Sequence, residues 1–134
     1  MSAIVADTHA LIWYLNNSPR LSLAASLAFE QAQASGALTY IPSIVIVELR
    51  YLVEKGAFTE ADYQTILATI NNSATALTIA PLNLAVAEAL AQVSRKVVPD
   101  MPDRIIAATA LSLGLPLVTR DTEIRKLTNV ATVW

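Results

Sequence analysis

The chain has 134 residues, a net charge of −2, 54% hydrophobic residues and 15% charged ones, which excludes a disordered polypeptide and predicts one domain with a sizeable core. It contains no cysteine, so disulfides and thiolate metal sites are excluded, and this fits a reducing compartment. The acidic balance disfavours a broadly basic nucleic-acid surface, although Arg95, Lys96, Arg104, Arg120, Arg125 and Lys126 gather in the last third.

The amino-terminal Met1-Ser2-Ala3-Ile4-Val5-Ala6 has neither the basic region nor the long apolar core of a secretory signal. Its second half predicts a strand over Ala3–Ala6, closed by Asp7 and followed by a short helix over Thr8–Leu15. Leu23–Ala34 predicts a helix stopped at Gly36, and Ala37–Ile41 a second strand. The helix over Ser43–Lys55 ends on a lysine and Gly56, and Thr59 caps the next one with Glu60 and Asp62 in its first turn. The stretch from Tyr63 to Ala87 is uncharged, but Asn71-Asn72-Ser73, Pro81 and Asn83 divide it into pieces too short for a bilayer. It is expected to hold a strand over Ala76–Ala80, with Asn83 capping a helix over Leu84–Ser94. A helix over Pro102–Leu113 ending at Gly114, a strand over Leu115–Thr119, a turn of helix near Glu123–Leu127 and a last strand over Val130–Val133 complete the chain. Strands separated by helices predict an α/β fold, a mainly parallel sheet of about five strands covered on both faces, in a single domain over 1–134. The expected setting is soluble and cytoplasmic, with no membrane.

Four acids stand out against this pattern. Asp7 closes the first strand and Asp121 follows the fourth, so both fall at the carboxyl edge, where open parallel sheets bind ligands. Each also has a local reading, Asp7 as a helix cap and Asp121 as a turn residue. Asp103 lies in the first turn of a helix, a position the macrodipole favours for any acid. The nearby Asp100 is the ambiguous alternative to Asp103, but before Met101-Pro102 it reads more as loop. Glu48 is harder to place structurally: its helical neighbours are Ile44, Val45, Tyr51 and Leu52, so it is partly buried and needs an arginine or another cation. Like charges ~4 Å apart repel by roughly 4 kcal/mol at an effective dielectric near 20. If the four converge, they call for a divalent ion, and an all-oxygen donor set suits Mg²⁺ or Mn²⁺.

His9, the one histidine, is read as structural or interfacial; no serine stands in a nucleophile elbow, and no glycine-rich phosphate loop is present. Two other chemistries share features of this pattern. An aspartyl-nucleophile phosphatase also places an Asp after its first strand, but the second Asp expected two residues on is His9 here. A non-catalytic module could use an acidic pocket to receive a basic peptide.

The stretches Asp7-Thr8-His9-Ala10-Leu11-Ile12-Trp13-Tyr14-Leu15, Pro42-Ser43-Ile44-Val45-Ile46-Val47-Glu48-Leu49, Pro102-Asp103-Arg104-Ile105-Ile106-Ala107-Ala108-Thr109-Ala110 and Leu117-Val118-Thr119-Arg120-Asp121 together resemble the PIN-domain ribonucleases of the VapC toxin type, over nearly the whole chain. The resemblance implies a three-layer α/β/α fold and an Mg²⁺- or Mn²⁺-dependent endoribonuclease that cleaves RNA as the toxin of a toxin–antitoxin pair. It implies a homodimer, and a small antitoxin whose basic tail reaches the acidic pocket. It carries the family's acidic positions onto Asp7, Glu48, Asp103 and Asp121, with Asp7, Asp103 and Asp121 as metal ligands and Thr119 as the hydroxyl supporting the last acid. Arg104 and Arg120, each beside one of these acids, are expected to contact RNA phosphates.

Overall fold

The structure, a computed structural model, describes residues 3–134; Met1 and Ser2, which entered the reading of the amino terminus above, lie outside the described residues. The chain runs β1 (Ile4–Ala6), α1 (Thr8–Leu15), α2 (Leu23–Ala34), β2 (Thr39–Pro42), α3 (Ser43–Glu54), α4 (Glu60–Asn71), β3 (Leu77–Ala80), α5 (Leu84–Ala89), α6 (Met101–Leu113), β4 (Leu117–Val118) and β5 (Thr132–Val133). Short 3-10 turns cover Leu90–Gln92 and Ile124–Lys126. All five expected strands are present and shorter than expected, and backbone hydrogen bonding explains two of the trims. The N–H of Ala37 closes α2 on Ala32 O, and that of Leu115 closes α6 on Ala110 O, so neither residue is free to open a strand. Gly114 supplies the left-handed turn at φ 67° that this second closure requires.

The helix expected over Leu84–Ser94 stops at Ala89. Beyond it the carbonyls turn to outside donors: Arg104 Nη2 reaches Leu90 O and Val93 O, and Asn129 Nδ2 reaches Gln92 O. The helix expected from Pro102 begins one residue earlier, because the Asp100 carboxylate caps it by accepting the Asp103 N–H.

The strands form one parallel sheet in the order β3-β2-β1-β4-β5. Val5 pairs with Tyr40 on one side and Leu117 on the other. Every residue of β1 is buried, and so are both residues of β4, the pattern of strands covered on both faces. Helix α2 packs on β1, β2 and β5, while α6 packs on β1 and β2 and also meets α3 and α5, giving a three-layer α/β/α arrangement. Ala107, Ala108 and Ala110 of α6 are fully buried; their small side chains let the helix lie close to its neighbours. Among the described residues no helix is long and apolar enough to cross a membrane.

Phe29 of α2 is 1% exposed and stacks on Tyr14 of α1 with ring centroids 4.1 Å apart, so it couples the first two helices to the sheet. Phe29→Ala is expected to lower stability by about 3–5 kcal/mol, read from urea denaturation followed by circular dichroism. A loss below ~1 kcal/mol would mean that the site collapses around the vacancy, so that this contact does not anchor the layer.

Candidate active site

The order of strands determines where a site can form. From β1 the chain moves outward through β2 to β3, then returns to the other side of β1 for β4 and β5. The direction therefore reverses between β1 and β4, and ligands of open α/β sheets bind in the crevice beyond the carboxyl ends of such a pair. Asp7 is the first residue after β1, and its N–H reaches Val118 O of β4. Thr119 and Asp121 follow β4 directly.

Asp7 is 8% exposed. One carboxylate oxygen caps α1 by accepting the Ala10 N–H at 2.9 Å, so the capping role read from the sequence is present and still leaves the second oxygen for a ligand. Burial pushes its pKa above the usual carboxylate range, against the pull of the Thr119 hydroxyl, the Ala10 N–H and the charge of His9. Thr119, fully buried, also accepts the Asp121 N–H on its Oγ1 at 3.0 Å. The same hydroxyl thus braces the segment that follows β4 and pulls on the Asp7 carboxyl. Asp121 Oδ1 accepts the N–H groups of Glu123 and Ile124, both at 2.9 Å, which fixes the carboxylate at the start of the 3-10 turn.

Glu48 reaches the same place from α3. It is half-buried, and its Oε1 accepts the Thr8 hydroxyl at 2.7 Å. The arginine partner considered for it is absent among the described residues. Arg50, two positions on, instead forms the one described ion pair, with Glu60 of α4 at 2.7 Å. Asp103, in the first turn of α6, is half-buried. Its pKa rises to about 7 through burial first, and then through the charges of Asp121, Asp100 and Glu48.

Asp7, Glu48, Asp100, Asp103 and Asp121 all line one open cavity of about 610 Å³, together with Thr8, His9, Trp13, Arg20, Ile106, Arg120 and Thr122. The four acids expected from the sequence therefore meet, although they come from β1, α3, α6 and the segment after β4. Among the described residues no three of these side chains are drawn tightly enough to hold an ion as they stand, a spacing that agrees with like charges facing one another across a gap. The donor set fits a hard divalent cation. It is all oxygen, two members carry raised pKa values, and no lysine or arginine is paired with any of them.

One expectation is corrected. Arg104 does not face this cavity: its guanidinium donates to the backbone carbonyls of Leu90 and Val93 at 2.8 and 3.1 Å, and its Nε is buried without a partner. Successive residues of a helix point about 100° apart, so adjacency to Asp103 carried Arg104 away from the site and into a brace between α6 and the segment that follows α5. Arg120 does line the cavity. The sequence reading missed Thr8 and Arg20, and set Asp100 aside as loop. Asp100 had a legible signal, because an acid three residues before Asp103 has the spacing of a helix cap. Arg20, on the loop between α1 and α2, had none.

A pKa of about 7 for Asp103 means that the folded, metal-free chain holds a proton which the unfolded chain releases near the ordinary 3.8. Stability from this group is full below that lower value, falls as pH rises towards about 7, and stays reduced above it. Asp103→Asn is therefore expected to stabilise the metal-free protein at pH 8 and to change it little at pH 4. Urea titrations in chelator at the two pH values check this, and an equal effect at both would remove charge repulsion as the cause.

Comparison with known proteins agrees with this geometry. A sequence model of the PIN domain matches residues 4–130. Ribonuclease VapC22 of Mycobacterium tuberculosis (strain ATCC 25618 / H37Rv) is 29% identical over 136 aligned positions, covering the whole of both chains. The fold is shared with VapBC2 of Rickettsia felis bound to a DNA fragment from its promoter, with a TM-score of 0.72 and 19% identity over 97% of this chain and 96% of that one. It is shared also with VapBC-5 of Mycobacterium tuberculosis, a member of the VapBC family of toxin–antitoxin systems, with a TM-score of 0.63 and 21% identity over 98% and 94% of the two chains. With four separated acids gathered at the switch point of a five-stranded parallel sheet, and a family match over almost its full length, the chain belongs to the PIN domain family.

Proposed function

We propose that the protein is a metal-dependent endoribonuclease acting as the toxin of a toxin–antitoxin module. The observation that carries this reading is the convergence of Asp7, Glu48, Asp103 and Asp121 on one cavity, none of them in an ion pair with a described residue. The full-length relative named as a ribonuclease supports the reaction class, and structural neighbours named as toxin–antitoxin complexes support the biological role. The partner is then a small antitoxin, with a basic tail suited to the acidic cavity.

Asp7, Asp103 and Asp121 would hold Mg²⁺ or Mn²⁺, directly or through water. When bound, such an ion supplies Lewis acidity towards the phosphodiester and makes water a better nucleophile. The chain's own part is to fix the oxygens. Ala10 N–H and Thr119 hold Asp7, and the turn after β4 holds Asp121 by two backbone bonds. The Asp100 cap fixes the first turn that carries Asp103. Glu48, kept in orientation by Thr8, has its second oxygen left to orient the attacking water. His9 at the position two after Asp7 gives no support to an aspartyl-phosphate route.

Purified protein incubated with total RNA is expected to cut it with Mg²⁺ or Mn²⁺ and not in chelator, with the cut ends mapped by sequencing. Asp7→Asn should lower the rate at least about a hundredfold while keeping the fold, and Thr8→Val, which leaves Glu48 without its donor, about 10–100-fold. Cleavage by Asp7→Asn at the parental rate would exclude that carboxylate from ion binding, and metal-independent cutting would sink the proposal itself.

A further inference from the structure

Trp13 and His9 line this cavity with their rings 5.5 Å apart, and Trp134, the other tryptophan of the chain, packs against Trp13 with ring centroids 5.8 Å apart. The guanidinium carbons of Arg20 and Arg120 lie 6.0 and 5.5 Å from the centroid of the Trp13 ring. Trp13, Arg20 and Arg120 line the same cavity as the five acids, yet neither arginine is in an ion pair with a described residue.

That separation calls for a cause. A long cationic side chain beside several carboxylates ordinarily settles on one, since such pairs are the strong hydrogen bonds of proteins. Here the negative face of an indole attracts both guanidinium groups. Each stays off the acids, with its planar fork of donors unspent. The result is a cavity whose lining carries both carboxylates and two cations that are in no ion pair with a described residue.

The geometry points to Trp13 as a positioning residue that holds Arg20 and Arg120 as a two-guanidinium clamp for RNA backbone phosphates next to the one presented to the acids. This rests on the nuclease reading above. Guanidinium forks match phosphate oxygens two by two, and the neighbouring His9 and tryptophan rings offer faces on which an unpaired base can stack. The clamp therefore favours single-stranded or looped RNA. It also keeps the arginines from occupying the oxygens that an ion would need. Substrate cations and ion-binding anions thus coexist in one cavity because an aromatic ring stands between their alternatives.

The test measures binding of a short unstructured oligoribonucleotide to Asp7→Asn protein, which leaves the RNA intact, over a range of salt concentrations. Arg20→Gln and Arg120→Gln should each weaken binding and reduce the slope of log affinity against log salt by about 0.7, the value for one phosphate contact on a single strand. Trp13→Leu should match the double arginine variant, whereas Trp13→Phe, which keeps an aromatic face, should retain most of the slope. Arg20 and Arg120 are exposed, so their double variant keeps the test decisive should Trp13→Leu fail to fold. A double arginine variant with the parental slope overturns the clamp, as does a Trp13→Phe protein as impaired as a folded Trp13→Leu. Polyglutamate that displaces the RNA as well as polyuridylate of equal charge would also overturn it, assigning the arginines to acidic peptides. The two readings fail separately. RNA cleavage by the parent with an arginine-independent slope ends the clamp alone. An arginine-dependent slope in a protein whose parent cuts no RNA supports the clamp and ends the nuclease reading.

Discussion

Everything at this site follows from placing carboxylates where they are buried or crowded and in no ion pair with a described residue. Asp7 is almost entirely buried and accepts hydrogen bonds from neutral groups only, and Asp103 is pushed to about pH 7 by burial and by three acidic neighbours. Buried or crowded carboxylates stay ionised only when a cation is near. A domain stabilised by ~5–15 kcal/mol feels several such repulsions, and a proton on Asp103 or a ligand of opposite charge relieves them.

The fold supplies the placement and neutral hydroxyls supply the precision. The reversal of strand order between β1 and β4 opens the crevice, and Asp7 and Asp121 stand at its two sides. The buried Thr119 oxygen accepts the Asp121 N–H and pulls down the Asp7 pKa, and Thr8 of α1 donates to Glu48 of α3. An arginine or lysine in either supporting position would orient an acid equally well, but it would also cancel the charge that the site exists to present. Threonine orients without neutralising.

Much of this was readable from the residues. The bounds of Thr8–Leu15 and Leu23–Ala34 came from caps and stops that operate locally, and so did the capping role of Asp7. What escaped notice depends on groups distant in sequence or on direction rather than spacing. Helix α5 was expected to continue because nothing in its own sequence stops it; what accompanies its end is Arg104, 14 residues beyond Leu90. Arg104 itself was misplaced because adjacency along a helix was taken for adjacency in space. Convergence of the four acids was legible only as a demand for charge compensation together with a resemblance, since no local pattern joins α3 to the end of β4. Arg20 becomes visible only when the loop carries it back over Trp13.

The strand order has one more consequence. β1 is the central strand, and it is flanked on one side by β4, which lies near the other end of the chain. Vectorial synthesis delivers Asp7 early and Asp121 late, so a growing polypeptide holds half of its charge cluster with nothing to complete it. By topology alone, the acidic cavity can assemble only when synthesis of the chain is nearly finished.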